Sequence, residues 1–140
     1  LENQSSNGKE AVAMPRPAAK DLTQRELEVM HVFWKNGPLS AAAVRDRLAA
    51  TRRVLTYTTV ANLVRILHEK GFLRQVNDER PYLYEPARTY DEVSGRLLGD
   101  VLDRVFKGSR EQLLVRLLED RQLSDRERTF LHTILEEEPT

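Results

Sequence analysis

Four side chains on one side of a single helical segment have the chemistry to read nucleic-acid bases. Between Thr56 and Gly71 the sequence runs TYTTVANLVRILHEKG. Val60, Leu63, Val64 and Leu67 fall at i, i+3, i+4 and i+7, one apolar stripe on a helix of about four turns. Tyr57, Thr58, Asn62 and Arg65 lie off that stripe. Hydroxyls, an amide and a guanidinium, with no carboxylate before Glu69, are groups that reach base edges and phosphates in a DNA major groove. Thr56 is suited to cap the helix start, and Gly71 to take the left-handed conformation that stops it. Taken alone, the segment fits an ordinary core helix with a solvated face equally well, so its neighbours must decide.

Other chemistries find little support. The chain has no Cys, which removes disulfides, thiolate metal sites and thiol catalysis. His31, His68 and His132 fall on three different predicted helices, none in a ligand pattern such as H-E-x-x-H, and we expect no metal site and no cofactor. There is no Gly-x-Ser-x-Gly elbow and no phosphate-cradling Gly loop, so an enzyme is not expected. The acidic run Glu136-Glu137-Glu138 fits a solvated terminus. Neither a membrane-length apolar run nor a signal-peptide stretch occurs, and a cytoplasmic protein without membrane insertion is the expectation.

At 140 residues with 40% hydrophobic content, the chain can build one domain and a smaller appendage. Its zero net charge is unevenly spread. Residues 21 to 88 carry eleven basic and eight acidic side chains, whereas residues 89 to 140 carry eight and twelve. A basic middle joined to an acidic end suits a polyanion-binding module with a separate non-binding part.

Residues 1 to 20 mix Gly, Ser, Asn and Pro without an apolar period and are expected to form a flexible tail. The fold is expected over residues 21 to 88. Thr23 and Glu26 make a capping box with Leu22 and Leu27 as a staple across it. Leu27, Met30, Phe33 and Trp34 are the expected buried stripe of the first helix, and Gly37-Pro38 ends it. Ser40 caps a short second helix through about Ala50, anchored by Val44 and Leu48, and its Ala-rich first turn permits close approach of another helix. The basic connector Thr51 to Leu55 leads into the helix described above. Afterwards the period alternates: Phe72 to Val76 and Pro81 to Tyr84 read as two strands, with Asn77 to Arg80 as the polar turn. Tyr82 and Tyr84, at strand spacing, read as hairpin packing. Three helices followed by a hairpin is the order of a winged helix-turn-helix, with the third helix in the major groove and the hairpin reaching flanking DNA.

Residues 89 to 140 read as helical again, punctuated by capping boxes at Thr89 with Glu92, Ser109 with Gln112 and Ser124 with Glu127. A helix over about Tyr90 to Lys107, ended by Gly108, places Val93, Leu97, Leu98, Val101, Leu102, Val105 and Phe106 on one broad face. Leu113, Leu114, Leu117 and Leu118 follow, then Phe130, Leu131, Ile134 and Leu135. Three short helices cannot bury so many apolar groups among themselves. They can fold back on the first domain or pair with a second copy. We expect an intertwined homodimer, since a palindromic DNA site favours a two-fold symmetric reader.

From about Leu22 to Glu137 the sequence resembles the penicillinase-repressor family, the BlaI/MecI-type bacterial transcriptional repressors. The matching fragments are Leu22-Thr23 with Glu26, Glu28-Val29-Met30, Trp34, Gly37-Pro38-Leu39, Tyr57-Thr58-Thr59-Val60, Lys70-Gly71, Tyr82-Leu83-Tyr84 and Lys107-Gly108-Ser109. The resemblance implies a mainly α fold with a small β-hairpin: a winged-helix operator-binding domain and a helical dimerisation domain. It also implies release through a membrane sensor system that leads to proteolysis at an Asn-Phe bond in the first dimerisation helix. Here the aligned pair is Asp100-Val101, a carboxylate and a small branched residue in place of the amide and the aromatic.

Two functional classes follow. In the first, a dimeric repressor contacts double-stranded operator DNA with Tyr57, Thr58, Thr59, Asn62 and Arg65 in the groove. Ser40, Arg45, Arg52, Arg53 and Arg80 are then candidates for phosphate or minor-groove contacts. In the second, the winged helix binds a protein instead, which calls for exposed apolar anchors on the third helix.

Overall fold

The computed structural model describes residues 22–120 and 122–137; the expected tail over 1–20 and Glu138 of the acidic run lie outside them. Six helices and one hairpin follow in the order α1 (Gln24–Asn36), α2 (Ala41–Ala50), α3 (Tyr57–Glu69), β1 (Leu73–Gln75), β2 (Tyr84–Pro86), α4 (Tyr90–Arg104), α5 (Arg110–Asp120) and α6 (Asp125–Glu137). Two compact units result, one ending at Leu97 and one beginning at Leu98. The boundary expected at residue 88 therefore moves into α4. The physical reason is that Val93 is buried in the first unit's core and Leu97 packs against it.

Local signals fix the starts of the helices. The Thr23 side chain accepts from the Glu26 N–H at 3.1 Å while the Thr23 N–H donates to the Glu26 carboxylate at 2.9 Å, so both halves of the capping box are formed. Ser40 accepts from Ala43 N–H at 3.2 Å and starts α2. Thr56 accepts from Thr59 N–H at 3.1 Å and starts α3. At the other end of α3, Gly71 takes φ +88° and Phe72 N–H donates back to Leu67 carbonyl at 2.9 Å, which turns the Phe72 ring into the core.

The core of the first unit joins Val29, Met30 and Phe33 of α1, Val44 and Leu48 of α2, Val60, Val64 and Leu67 of α3, and Phe72 and Leu73. The inner stripe of α1 differs from the expected one. Glu26, Val29, Met30 and Phe33 are buried, whereas Leu27 and Trp34 are only half-buried. A charged residue can occupy that stripe because Lys70, just past α3, places its Nζ 2.9 Å from one Glu26 carboxylate oxygen and 3.2 Å from the other. Trp34 instead donates its Nε1–H to the Arg88 carbonyl at 2.9 Å and stands edge-on to Tyr90 at 5.4 Å.

The hairpin also departs from expectation. β1 and β2 pair antiparallel in the register Leu73 with Pro86, Arg74 with Glu85 and Gln75 with Tyr84, so Pro81 to Leu83 belong to the loop. Pro81 has no N–H to donate to a ladder, and Asn77 organises the loop. Its amide donates to the Glu79 and Pro81 carbonyls, at 2.9 and 3.1 Å, and its oxygen accepts from Leu83 N–H at 2.8 Å. On its other edge Tyr84 exchanges two backbone hydrogen bonds with Leu39, at 2.9 and 3.0 Å. The segment between α1 and α2 thereby becomes a third, one-residue member of the sheet.

Helix α4 begins on a complete capping box, Thr89 with Glu92. The Thr89 N–H at the helix start is the main reason the Glu92 carboxyl is held below its ordinary pKa range. The helix ends at Arg104, not Lys107, because Lys107 and Gly108 both turn left-handed at φ +53° and +83°, and Gly108 N–H returns to Leu102 carbonyl at 2.9 Å. Val105 and Phe106 consequently lie beyond it. Ser124 with Glu127 caps α6 in both directions, and Ser109 accepts from Gln112 N–H at the start of α5. Leu114, Leu117 and Leu118 of α5 and Phe130, Leu131, Ile134 and Leu135 of α6 are all exposed. Among the described residues no helix is long and apolar enough to cross a membrane.

Candidate nucleic-acid interface

The stripe that buries Val60, Val64 and Leu67 leaves the opposite side of α3 to solvent, where Tyr57, Thr58, Asn62 and Arg65 are exposed as their spacing predicts. Thr58 and Asn62 make no side-chain hydrogen bond with any other described residue, so their donors and acceptors remain available. Thr59 is half-buried, and its Oγ1 lies 3.0 Å from the Thr56 hydroxyl within the cap. Arg65 pairs with Glu69 one turn along, at 2.9 Å, with both side chains more than half exposed. Such a pair is weak and readily exchanged for a phosphate.

Beside this face lies an open cleft of 670 Å³ between the start of α2, the outer side of α3 and the wing, with Ser40, Tyr57, Arg65, Arg80 and Tyr82 among its lining residues. Four expected contacts from three separate elements are thus brought together. Arg45 joins them from α2: its guanidinium carbon is 6.0 Å from the Tyr57 ring centroid and it pairs with Asp46 at 3.2 Å. Ser40 presents less than expected, because its hydroxyl is occupied by the α2 cap. The cleft can hold a strip of polyanion, since guanidinium groups stand on both sides of a hydrogen-bonding helix face.

Arg52 and Arg53 stand apart from the cleft. Arg52 occupies the left-handed position of the α2 to α3 turn at φ +69° and is exposed. Arg53 donates to the Glu28 carboxylate at 2.6 Å and lines a second hollow with Glu28, His31, Lys35 and Arg47 between α1 and α2. The Arg53 hydrogen bond, more than any other influence, holds the Glu28 carboxyl below its ordinary range, against the opposing effect of burial. A depressed carboxylate stabilises the fold above its unfolded pKa, and that contribution disappears as pH falls through the folded value. Glu28→Gln should therefore lower the melting temperature at neutral pH and converge on the parent in acid. Melting curves over that range check this; a constant offset at every pH overturns it.

Tyr82, expected as hairpin packing, faces Arg80 with the guanidinium carbon 5.4 Å from its ring centroid. Tyr84 does pack on the core, edge-on to His68 at 5.4 Å. The sequence signal for Tyr82 was its place two residues from the wing arginine, a spacing that a regular strand would also have produced. The buried Glu26 with Lys70 pair had no local signal, because its members are 44 residues apart. Of the aligned Asp100-Val101 pair, Asp100 lies in α4 within 3.7 Å of Arg104, and Val101 is exposed. No group of three or more His, Asp or Glu side chains that could hold a metal occurs among the described residues.

Comparison with known proteins agrees with the resemblance read from the residues. The family model for the penicillinase repressor matches residues 22–137. The penicillinase repressor of Bacillus licheniformis is 31% identical over 119 residues, covering 83% of this chain and 90% of that protein. Among solved structures, the complex structure of hsRosR-SG aligns with a TM-score of 0.50 over 84% of this chain and 92% of its own, at 16% identity, a likeness of fold alone. The solution structure of the monomeric form of Bacillus licheniformis BlaI, in complex with the blaP half-operator, is 26% identical with a TM-score of 0.43, over 51% of this chain and 87% of that one. With a winged helix-turn-helix in its first unit and a family match from Leu22 to Glu137, the chain belongs to the penicillinase repressor family.

Proposed function

We propose that this chain is a homodimeric transcriptional repressor that reads a palindromic operator with α3 in the major groove and the wing on flanking backbone. The observation that carries the proposal is the outer face of α3, where Tyr57, Thr58, Asn62 and Arg65 stand exposed beside the Arg80 wing. Thr59 and Ser40 support that face from the helix caps, Arg45 from the body of α2 beside Tyr57, and Arg52 reaches the backbone from the α2 to α3 turn. The alternative, a protein-interaction module, is disfavoured because this face offers hydrogen-bonding groups and positive charge instead of apolar anchors. The exposed Leu117 and Phe130, at 61% and 64%, support a second copy of the chain as the cover of the second unit. Release then works by separating the two copies, whether a protease, a sensor system or another signal starts it.

Titration against a duplex selected from a random pool, at several salt concentrations, tests the reading. Arg80→Ala should weaken all sequences alike and flatten the salt slope by about one unit. Asn62→Ala should cost about 1–3 kcal/mol and relax preference at one base position. Equal affinity of the parent for selected and random duplex would end the repressor reading.

A further inference from the structure

The cations around the cleft are not equally ready for DNA. Arg45 and Arg65 each pair with a carboxylate, on Asp46 and Glu69. A phosphate must compete with that carboxylate for each of them. Arg80 pairs with no carboxylate among the described residues. Its guanidinium instead lies over the Tyr82 ring at 5.4 Å, inside the range of a cation–π contact. The ring's electrons attract the cation without occupying its N–H groups, so the donors stay available to an anion.

The backbone carrying this pair is fixed from both sides. The Asn77 side chain bonds to the Glu79 and Pro81 carbonyls and to Leu83 N–H, which brackets Arg80 and Tyr82, and Val76 N–H closes the loop on the Leu83 carbonyl at 2.9 Å. The half-buried Tyr82 ring shares the cleft lining with Tyr57 and Arg65 of α3. An arginine on an exposed loop otherwise gives up much rotamer freedom on meeting a phosphate. Over a ring already held in place, part of that freedom is lost before DNA arrives.

We propose that Tyr82 is a positioning residue for DNA binding, its ring holding the Arg80 guanidinium at the cleft beside α3 to receive a backbone phosphate. This rests on the operator-binding reading. The test is a double-mutant cycle on the full chain, titrated against the duplex that the parent selects from a random pool. Tyr82→Phe keeps the ring and should bind within about twofold of the parent. Tyr82→Leu should weaken binding about two- to fivefold, the worth of an exposed cation–π contact. In an Arg80→Ala background, Tyr82→Leu should produce no further loss, because the side chain acts through Arg80. A further loss there shows that Tyr82 touches DNA itself and overturns the proposal, as does unchanged binding of Tyr82→Leu in the parent background.

One measurement needs no variant. The Arg80 side-chain protons of the free parent should be shifted upfield by the ring in its NMR spectrum and stay shifted in the complex. Random-coil positions overturn the proposal even where Tyr82→Leu fails to fold. A parent that prefers no duplex over random DNA sinks the operator reading and the proposal together; a parent that does, with an additive cycle, sinks the proposal alone.

Discussion

Replacing Leu117 and Phe130 with aspartate is expected to yield a chain that sediments as a monomer and binds its full operator about 10²- to 10⁴-fold more weakly than the parent. In the proposed dimer each winged helix reaches one half-site, and joining two makes the second contact intramolecular, raising avidity by about that factor. Leu117 on α5 and Phe130 on α6 are suited to the test because both are more than three-fifths exposed in the single chain. Aspartate there should leave the chain's own packing intact. In a dimer that covers the two helices, each carboxylate would be buried without a partner at a cost of several kcal/mol. Val93 and Leu97, expected at the outset to serve the dimer, are unsuited, since Val93 is buried in the core of the first unit with Leu97 packed against it, and charge there would damage that unit itself. Trp34, the single tryptophan, is fixed by its hydrogen bond to Arg88 and reports that unit by fluorescence. Unaltered Trp34 emission with a monomeric sedimentation coefficient and weak half-site binding is the expected set. A monomer that binds the full site as tightly as the parent would show that α5 and α6 do not couple the two readers.

What could be read in the sequence was what is decided within one or two helical turns. The caps at Thr23, Ser40, Thr56 and Thr89 join residues three apart, and all of them form as the sequence predicts. The stripe of α3 is equally local, so its exposed polar face is legible in the sequence. Errors arose where partners lie far apart. Leu39 pairs with Tyr84 across 45 positions, and nothing near Leu39 announces a strand. In the sequence Glu26 reads only as the capping partner of Thr23, because its second partner, Lys70, comes from the far end of α3. The second strand begins three residues later than its alternating pattern predicts, because alternation continues through Tyr82 and Tyr84 while the loop-forming role of Asn77 depends on carbonyls that a sequence does not display. Arg53, one of the basic connector residues, is indistinguishable from Arg52 by sequence; the fold separates them by pairing Arg53 with Glu28, 25 residues away.

Lys70→Met should destabilise the first unit by about 3–5 kcal/mol, the largest stability loss expected from any single polar substitution here. The Glu26 side chain is only 5% exposed and Lys70 is 22% exposed, so removal of the ammonium leaves a carboxylate in the core with little water to solvate it. The Thr23 N–H still donates to that carboxylate, but one hydrogen bond does not replace a cation. For a unit of this size the loss corresponds to a fall in melting temperature of more than about 10 °C. The pair also ties the start of α1 to the end of α3, so α3 loses an anchor at the end opposite its Thr56 cap. Adding Glu26→Gln to Lys70→Met removes the stranded charge while an amide can still serve the capping box. The double variant should therefore recover most of the stability and the operator affinity at temperatures below its transition. Thermal melts followed by Trp34 emission compare the three proteins. A Lys70→Met chain that melts within a few degrees of the parent, or a double variant no better than the single one, would show that the ion pair does not hold α1 and α3 together.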